Sequence, residues 1–236
     1  WPVRLAEGRD FYMQPTWRPN GEDLGWIEWD HPNMPWDSTE LKVGHLAFPE
    51  GGLPVVINAT VEAGGPDTAI SQPYYSPDGA SLLYTSDESG WGQVYRKSIA
   101  TGAVTRLTTG DGEFGEPAWN QGMRRLAITP GGSVVAIRAD RGFDHLTVIS
   151  PGGAVHDLTG SQGAYTSLVH PVASPTSQKV ALIASGPTQP TRVVVIDLAN
   201  VPPVFEVRRR ADSEIVPSSA LSSPQPVTYT SFDGEE

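Results

Sequence analysis

The chain has 236 residues, 38% of them hydrophobic, enough for one sizeable core and, at ordinary domain sizes, one or two units. Glycine and proline number 25 and 22, which is too much turn chemistry for a helical bundle and points to short strands joined by tight turns. With 16 basic against 27 acidic residues, the net charge of −11 argues against nucleic acid and for a cationic partner, while zero cysteines exclude disulfides and thiol chemistry and fit a reducing, cytoplasmic compartment.

No apolar run reaches the roughly 20 residues that span a bilayer, so no membrane partner is expected. The start, Trp1-Pro2-Val3-Arg4, is neither an initiator methionine nor a signal peptide and reads as that of a fragment or processed product. A turn at Pro19-Asn20-Gly21 is followed by β-rich runs at 24–29, 40–46 and, more weakly, 54–59. A strand at 70–75 then enters Pro77-Asp78-Gly79, followed by 81–85, 93–97 and 103–108. A strand at 125–129 enters Pro130-Gly131-Gly132, followed by 133–138, 145–149 and 154–158. Pro175-Thr176-Ser177 leads into 179–184, 192–198 and 204–209.

The turn prolines stand at 19, 77, 130 and 175, so one unit of four antiparallel strands recurs in tandem at the spacing of β-propeller blades. Proline presets φ at the first corner of each turn and glycine takes the positive φ at the next. The fold class is therefore all-β, a propeller of four-stranded antiparallel blades with four blades visible in residues 1–212. Glu116-Pro117-Ala118-Trp119 echoes Gln72-Pro73-Tyr74-Tyr75 and competes for the inner strand of the third blade, but 125–129 leads directly into its turn. Residues 213–236 do not repeat: Pro217, Pro224 and Pro226 make an extended linker, and 227–231 reads as the first strand of a further domain.

Strand parity decides which loops share a face. In an antiparallel blade the connection from second to third strand and the connection between blades emerge together. That face collects Asp30, Asp37, Asp67, Asp87, Glu88, Asp111, Glu113, Asp140 and Asp144, with Trp36, Trp91 and Phe143, against Arg141 and the nearby Arg138. One reading is an acidic, aromatic rim that holds a positively charged group such as a peptide amino terminus; the other is ordinary solvated carboxylates on an acidic protein. The stretch Asp30-His31-Pro32-Asn33-Met34-Pro35-Trp36-Asp37 is stiffened by two prolines, and its Asp30, Trp36 and Asp37, with Glu28 just before it, are the candidate substrate-binding residues. Trp26, Trp29 and Trp36 fit packing between blades equally well. No metal or cofactor is expected. Gly110-Asp111-Gly112-Glu113-Phe114-Gly115 matches the dinucleotide glycine pattern, but no helix follows it and its carboxylates repel a pyrophosphate. No Gly-x-Ser-x-Gly elbow occurs, and no catalytic residue is assigned.

Several of these stretches resemble the propeller of the prolyl oligopeptidase family of serine peptidases, in its acylaminoacyl-peptidase and dipeptidyl-aminopeptidase branch. They are Phe11-Tyr12 with Pro15, the string from Asp30 through Asp37 to Leu41, Gln72-Pro73 with Ser76-Pro77-Asp78-Gly79, Ser89-Gly90-Trp91, and Pro224-Gln225-Pro226-Val227 with Asp233-Gly234. The resemblance is strongest from Phe11 to Arg96 and thins beyond Arg106, where Thr176-Ser177 replaces the expected Asp-Gly. It implies a cytoplasmic exopeptidase of short peptides whose Ser-Asp-His triad lies on a C-terminal α/β-hydrolase domain absent from these residues. The propeller would then gate access and orient the substrate's amino end. It also implies about two further N-terminal blades, with 1–5 as the outer strand of one of them, and an open set of blades that self-associates or is marginally stable. Ser-Pro-Asp-Gly turns also resemble the propeller of the Tol system, a protein-interaction scaffold, and a carbohydrate-active propeller with carboxylates and tryptophans lining a groove is a third alternative.

Overall fold

A computed structural model describes residues 2–116, 120–213 and 216–234. It contains four separate four-stranded antiparallel sheets, each in simple up-and-down order. Blade I comprises β1 (Phe11–Trp17), β2 (Asp23–Trp29), β3 (Glu40–Ala47) and β4 (Val55–Gly64); blade II comprises β5 (Ile70–Tyr75), β6 (Ser81–Ser86), β7 (Gln93–Ser98) and β8 (Val104–Arg106). Blade III comprises β9 (Leu126–Ile128), β10 (Val134–Asp140), β11 (Phe143–Ile149) and β12 (Val155–Asp157); blade IV comprises β13 (Ser167–Ala173), β14 (Lys179–Gly186), β15 (Gln189–Asp197) and β16 (Val204–Arg210). Among the described residues no helix is long and apolar enough to cross a membrane.

The blade turns form as their residues dictate. In blade II, Gly79 takes φ 68°, Ser76 donates to the Asp78 carboxylate at 2.6 Å, and the Ala80 amide donates to it at 3.0 Å. Those bonds hold the Asp78 carboxyl below its ordinary value. Blade IV lacks the Asp-Gly pair but keeps the closing backbone bond, from the Ser174 amide to Lys179 O at 2.8 Å, that blade II makes from Ser76 to Ser81 O at 2.9 Å.

In blades II and III, alternation along the central strands sends successive side chains into different interblade cores. Leu82 and Tyr84 of β6 pack with Ile27, Trp29 and Leu41 of blade I, whereas Leu83 between them packs with Leu126, Ile128 and Val134 of blade III. Val135 and Ile137 of β10 face the other way, onto Val180, Leu182, Val194 and Ile196 of blade IV. Each such fully buried aliphatic side chain contributes about 1.5–3 kcal/mol relative to exposure. The far side of blade IV has no such cover among the described residues: Val172 and Val193 are exposed there.

Several expected elements differ, among them β4, which runs on to Gly64 rather than ending at 59, and β15, which starts at Gln189 rather than 192. Strand β8 ends at Arg106 rather than 108, because Leu107 turns into the core and the Thr108 hydroxyl accepts the Val94 amide at 2.8 Å. Residues 2–8 form no strand, and neither do 227–231, since a strand requires a hydrogen-bonded neighbour that these segments do not meet among the described residues. Trp1 and the 117–119 part of the competing inner strand lie outside the described residues.

Candidate functional site

On the face shared by the β2–β3, β6–β7 and interblade loops, three segments converge between blades I, II and III. The first is the proline-stiffened loop after β2. Its base is fastened to blade II by Thr39, whose hydroxyl accepts the Ile70 amide at 2.6 Å and donates to Ile70 O at 3.0 Å. The Met34 amide donates to the Asp37 carboxylate at 2.8 Å, which closes the turn that carries Trp36.

The second segment follows β6, where the Asp87 carboxylate accepts the Ala69 amide at 2.7 Å. The third is the glycine-rich connection between blades II and III. Glu113 pairs its backbone with Ala139 in both directions at 2.8 Å. Its carboxylate accepts the Gly92 amide at 3.0 Å and the Gly115 amide at 2.7 Å. Glycine is required at 92 by closeness: a Cβ there would stand 1.7 Å from a Glu113 carboxylate oxygen.

Together these loops enclose a cleft of about 130 Å³ lined by Trp36, Asp87, Glu113 and Glu116, with the Ser71 and Thr85 hydroxyls, 2.6 Å apart, beneath them. Of the carboxylates, Glu113 is committed to two loop amides. Asp87 engages one loop amide through a single oxygen, and Glu116 has a loose ion pair with Arg125 at 3.9 Å. Arg125 itself is drawn away by Asp144 at 2.6 Å. The cleft is therefore anionic, walled by an indole, and sized for a small cationic group with little attached.

The four sequence-designated residues separate. Trp36 lines the cleft. Asp37 lies beside it, capping its own loop. Glu28 is buried and faces away from the blade I–II core, holding the Trp26 indole N–H at 2.6 Å and Lys42 at 3.0 Å. Asp30 pairs with Arg9 at 2.8 Å, which also reaches Glu40 at 2.8 Å and Glu28 at 3.5 Å. Arg9 and Arg125 thus join Arg138 and Arg141 in neutralising rim carboxylates, so much of the acidic rim fastens loops rather than standing free. Among the described residues no three His, Asp or Glu side chains gather as metal ligands. Glu116 is the cleft residue that rim counting passed over. It sits in the expected rim loop, but its Glu-Pro echo of an inner strand draws attention elsewhere.

No protein-family model matches the chain. Among solved structures it is similar to a puromycin hydrolase, with TM-score 0.81 and 31% identity over 95% of this chain and 32% of that one. It is similar to a puromycin-hydrolyzing peptidase of Mycobacterium tuberculosis, with TM-score 0.82 and 27% identity over 94% and 32%. Prolyl oligopeptidase B from Galerina marginata shares the fold, with TM-score 0.70 and 14% identity over 95% and 29%. Among curated proteins, the Tol-Pal system protein TolB of Francisella tularensis is 32% identical over 83 residues, 35% of this chain and 17% of that protein. The chain therefore spans about a third of the length of the peptidases it matches.

Proposed function

Because the chain is a propeller segment of the prolyl oligopeptidase family, we propose that it gates and orients short peptides for a serine peptidase whose Ser-Asp-His triad stands on a hydrolase domain outside these residues. The observation that carries this reading is the cleft, where Asp87 and Glu116 face a cavity walled by Trp36. A protonated amino end would meet two carboxylates beside the Trp36 indole, in a field already negative over the whole chain. Linker 213–236 would lead toward the hydrolase domain, and the absence of cysteine from the sequence fits a cytoplasmic setting. Alone, the chain would self-associate through the apolar face that Val172 and Val193 leave uncovered on blade IV.

Puromycin, which carries a free α-amino group beside an aromatic side chain, tests the reading against its N-acetyl derivative. Calorimetric titration of the full chain at low salt is expected to show binding of puromycin and a loss of about tenfold or more on acetylation, with Asp87→Asn/Glu116→Gln removing the difference. Equal binding of the two compounds, or binding of neither, overturns it, as does hydrolysis by this chain that resists serine-directed inhibitors. The stretch shared with TolB favours a second reading, an interaction scaffold, which expects no discrimination by acetylation.

A further inference from the structure

A second cavity lies at the inner strands of blades I and II, apart from the anionic cleft. Strands β1 and β5 each break register at a bulge, between Met13 and Thr16 and between Ser71 and Tyr74. The bulged residues Gln14 and Gln72 take φ 50° and 55° and each precedes a proline. The cavity of about 360 Å³ there is lined by Trp17, Gln72, Pro73, Tyr74, Gln121 and Arg124 among others.

Its polar groups are donors in want of an acceptor. The Arg124 guanidinium stands 5.9 Å from the Tyr74 ring centre and makes no ion pair among the described residues. The Gln72 side-chain N–H₂ is buried without a partner, although its carbonyl oxygen accepts the Arg125 amide. Among the described residues the Gln121 side-chain amide donates only to the weakly accepting Met13 sulfur, at 3.0 Å. Among the described residues no carboxylate lines the cavity. In a chain of net charge −11, such a place is a local exception: cationic, rich in donors and walled by aromatic rings and proline.

We propose that this cavity binds a carboxylate borne on an aromatic or apolar group, such as the C-terminal end of a peptide. Arg124 and the Gln72 and Gln121 amides supply charge-assisted hydrogen bonds, and Trp17, Pro73 and Tyr74 receive the attached side chain. The site is independent of the cleft, since it takes the opposite end and the opposite charge.

Calorimetric titration of the full chain with N-acetyl-phenylalanine, its amide and 3-phenylpropionate tests this, and none of these probes carries an amino terminus that the cleft could hold. The acid is expected to bind about tenfold more tightly than the amide, and Arg124→Gln to abolish that preference. A tighter fit of N-acetyl-phenylalanine than of phenylpropionate identifies a peptide end, and the reverse a small aromatic acid; either keeps the carboxylate site. Equal binding of acid and amide, no binding at millimolar ligand, or an unchanged preference in Arg124→Gln overturns it. Arg124 is exposed, and the comparison of acid with amide requires no variant, so a folding defect cannot obscure the answer.

Discussion

The side-chain oxygen of Gln14 in blade I accepts the backbone amide of Gln72 in blade II at 2.7 Å. Gln72 in turn accepts the Arg125 amide ahead of blade III, and the His170 amide of blade IV donates to Arg124 O at 3.2 Å. Gln14, Gln72 and His170 all have left-handed φ and precede proline, in bulges that lift an N–H out of its own ladder. For Gln72 and His170 the residues of the preceding blade or its lead-in then accept that donor. Replacing Gln14 by Leu strands the Gln72 amide and should cost about 1–3 kcal/mol, the penalty of an unpaired buried donor. A lowered urea midpoint at constant m-value is the expected result.

Gly92→Ala should disturb the cleft directly. Besides the Glu113 oxygen at 1.7 Å, the new Cβ would stand 2.9 Å from the Gly115 amide nitrogen, so the loop bearing Glu113 and Glu116 must move. Overpacking of this kind costs about 1–3 kcal/mol. Puromycin binding by the variant should fall together with its urea midpoint, and amide chemical-shift changes should concentrate in 110–116.

Blades I and II are also joined by Glu62 and Lys97 at 2.7 Å. Burial works to raise the Glu62 carboxyl, but hydrogen bonds from Lys97 and the Thr60 hydroxyl outweigh it and hold the group below its ordinary 4.5. A folded-state value below the unfolded one adds stability above pH 4.5 that is lost as pH falls through the lowered value. Urea midpoints should therefore drop on acidification, and Glu62→Gln should flatten that part of the acid limb while lowering the neutral-pH midpoint. An acid limb unaltered in Glu62→Gln assigns the pH dependence to other carboxylates.

The blade architecture was legible because its signals are local: a proline-led turn, then alternation that buries Leu82 and Tyr84 on one side and Leu83 on the other. Where β8 ends was not, since the run through Leu107 and Thr108 keeps its β-rich character while the backbone leaves the sheet. The rim could be located by strand parity, and Trp36 with it. Which carboxylates are already engaged could not, because Arg9 reaches Glu28, Asp30 and Glu40 from a segment without regular structure, and no sequence spacing announces such a contact.

Glu28 is where that distinction can be measured. Its carboxylate is buried and holds an indole N–H, Lys42 and Arg9, so a substrate amine would have to displace partners already in place. Glu28→Leu removes the anion and leaves Lys42 and the Trp26 N–H without their acceptor, at a cost of about 3–5 kcal/mol. Glu28→Gln keeps an acceptor for the indole and should cost less. Below the unfolding transition of each variant, puromycin affinity should match that of the parent chain, because Asp87, Glu116 and Trp36 are untouched. A Glu28→Gln chain that is as stable as the parent but no longer distinguishes puromycin from its N-acetyl form would return Glu28 to the peptide site and make Arg9 its occupant in the absence of substrate.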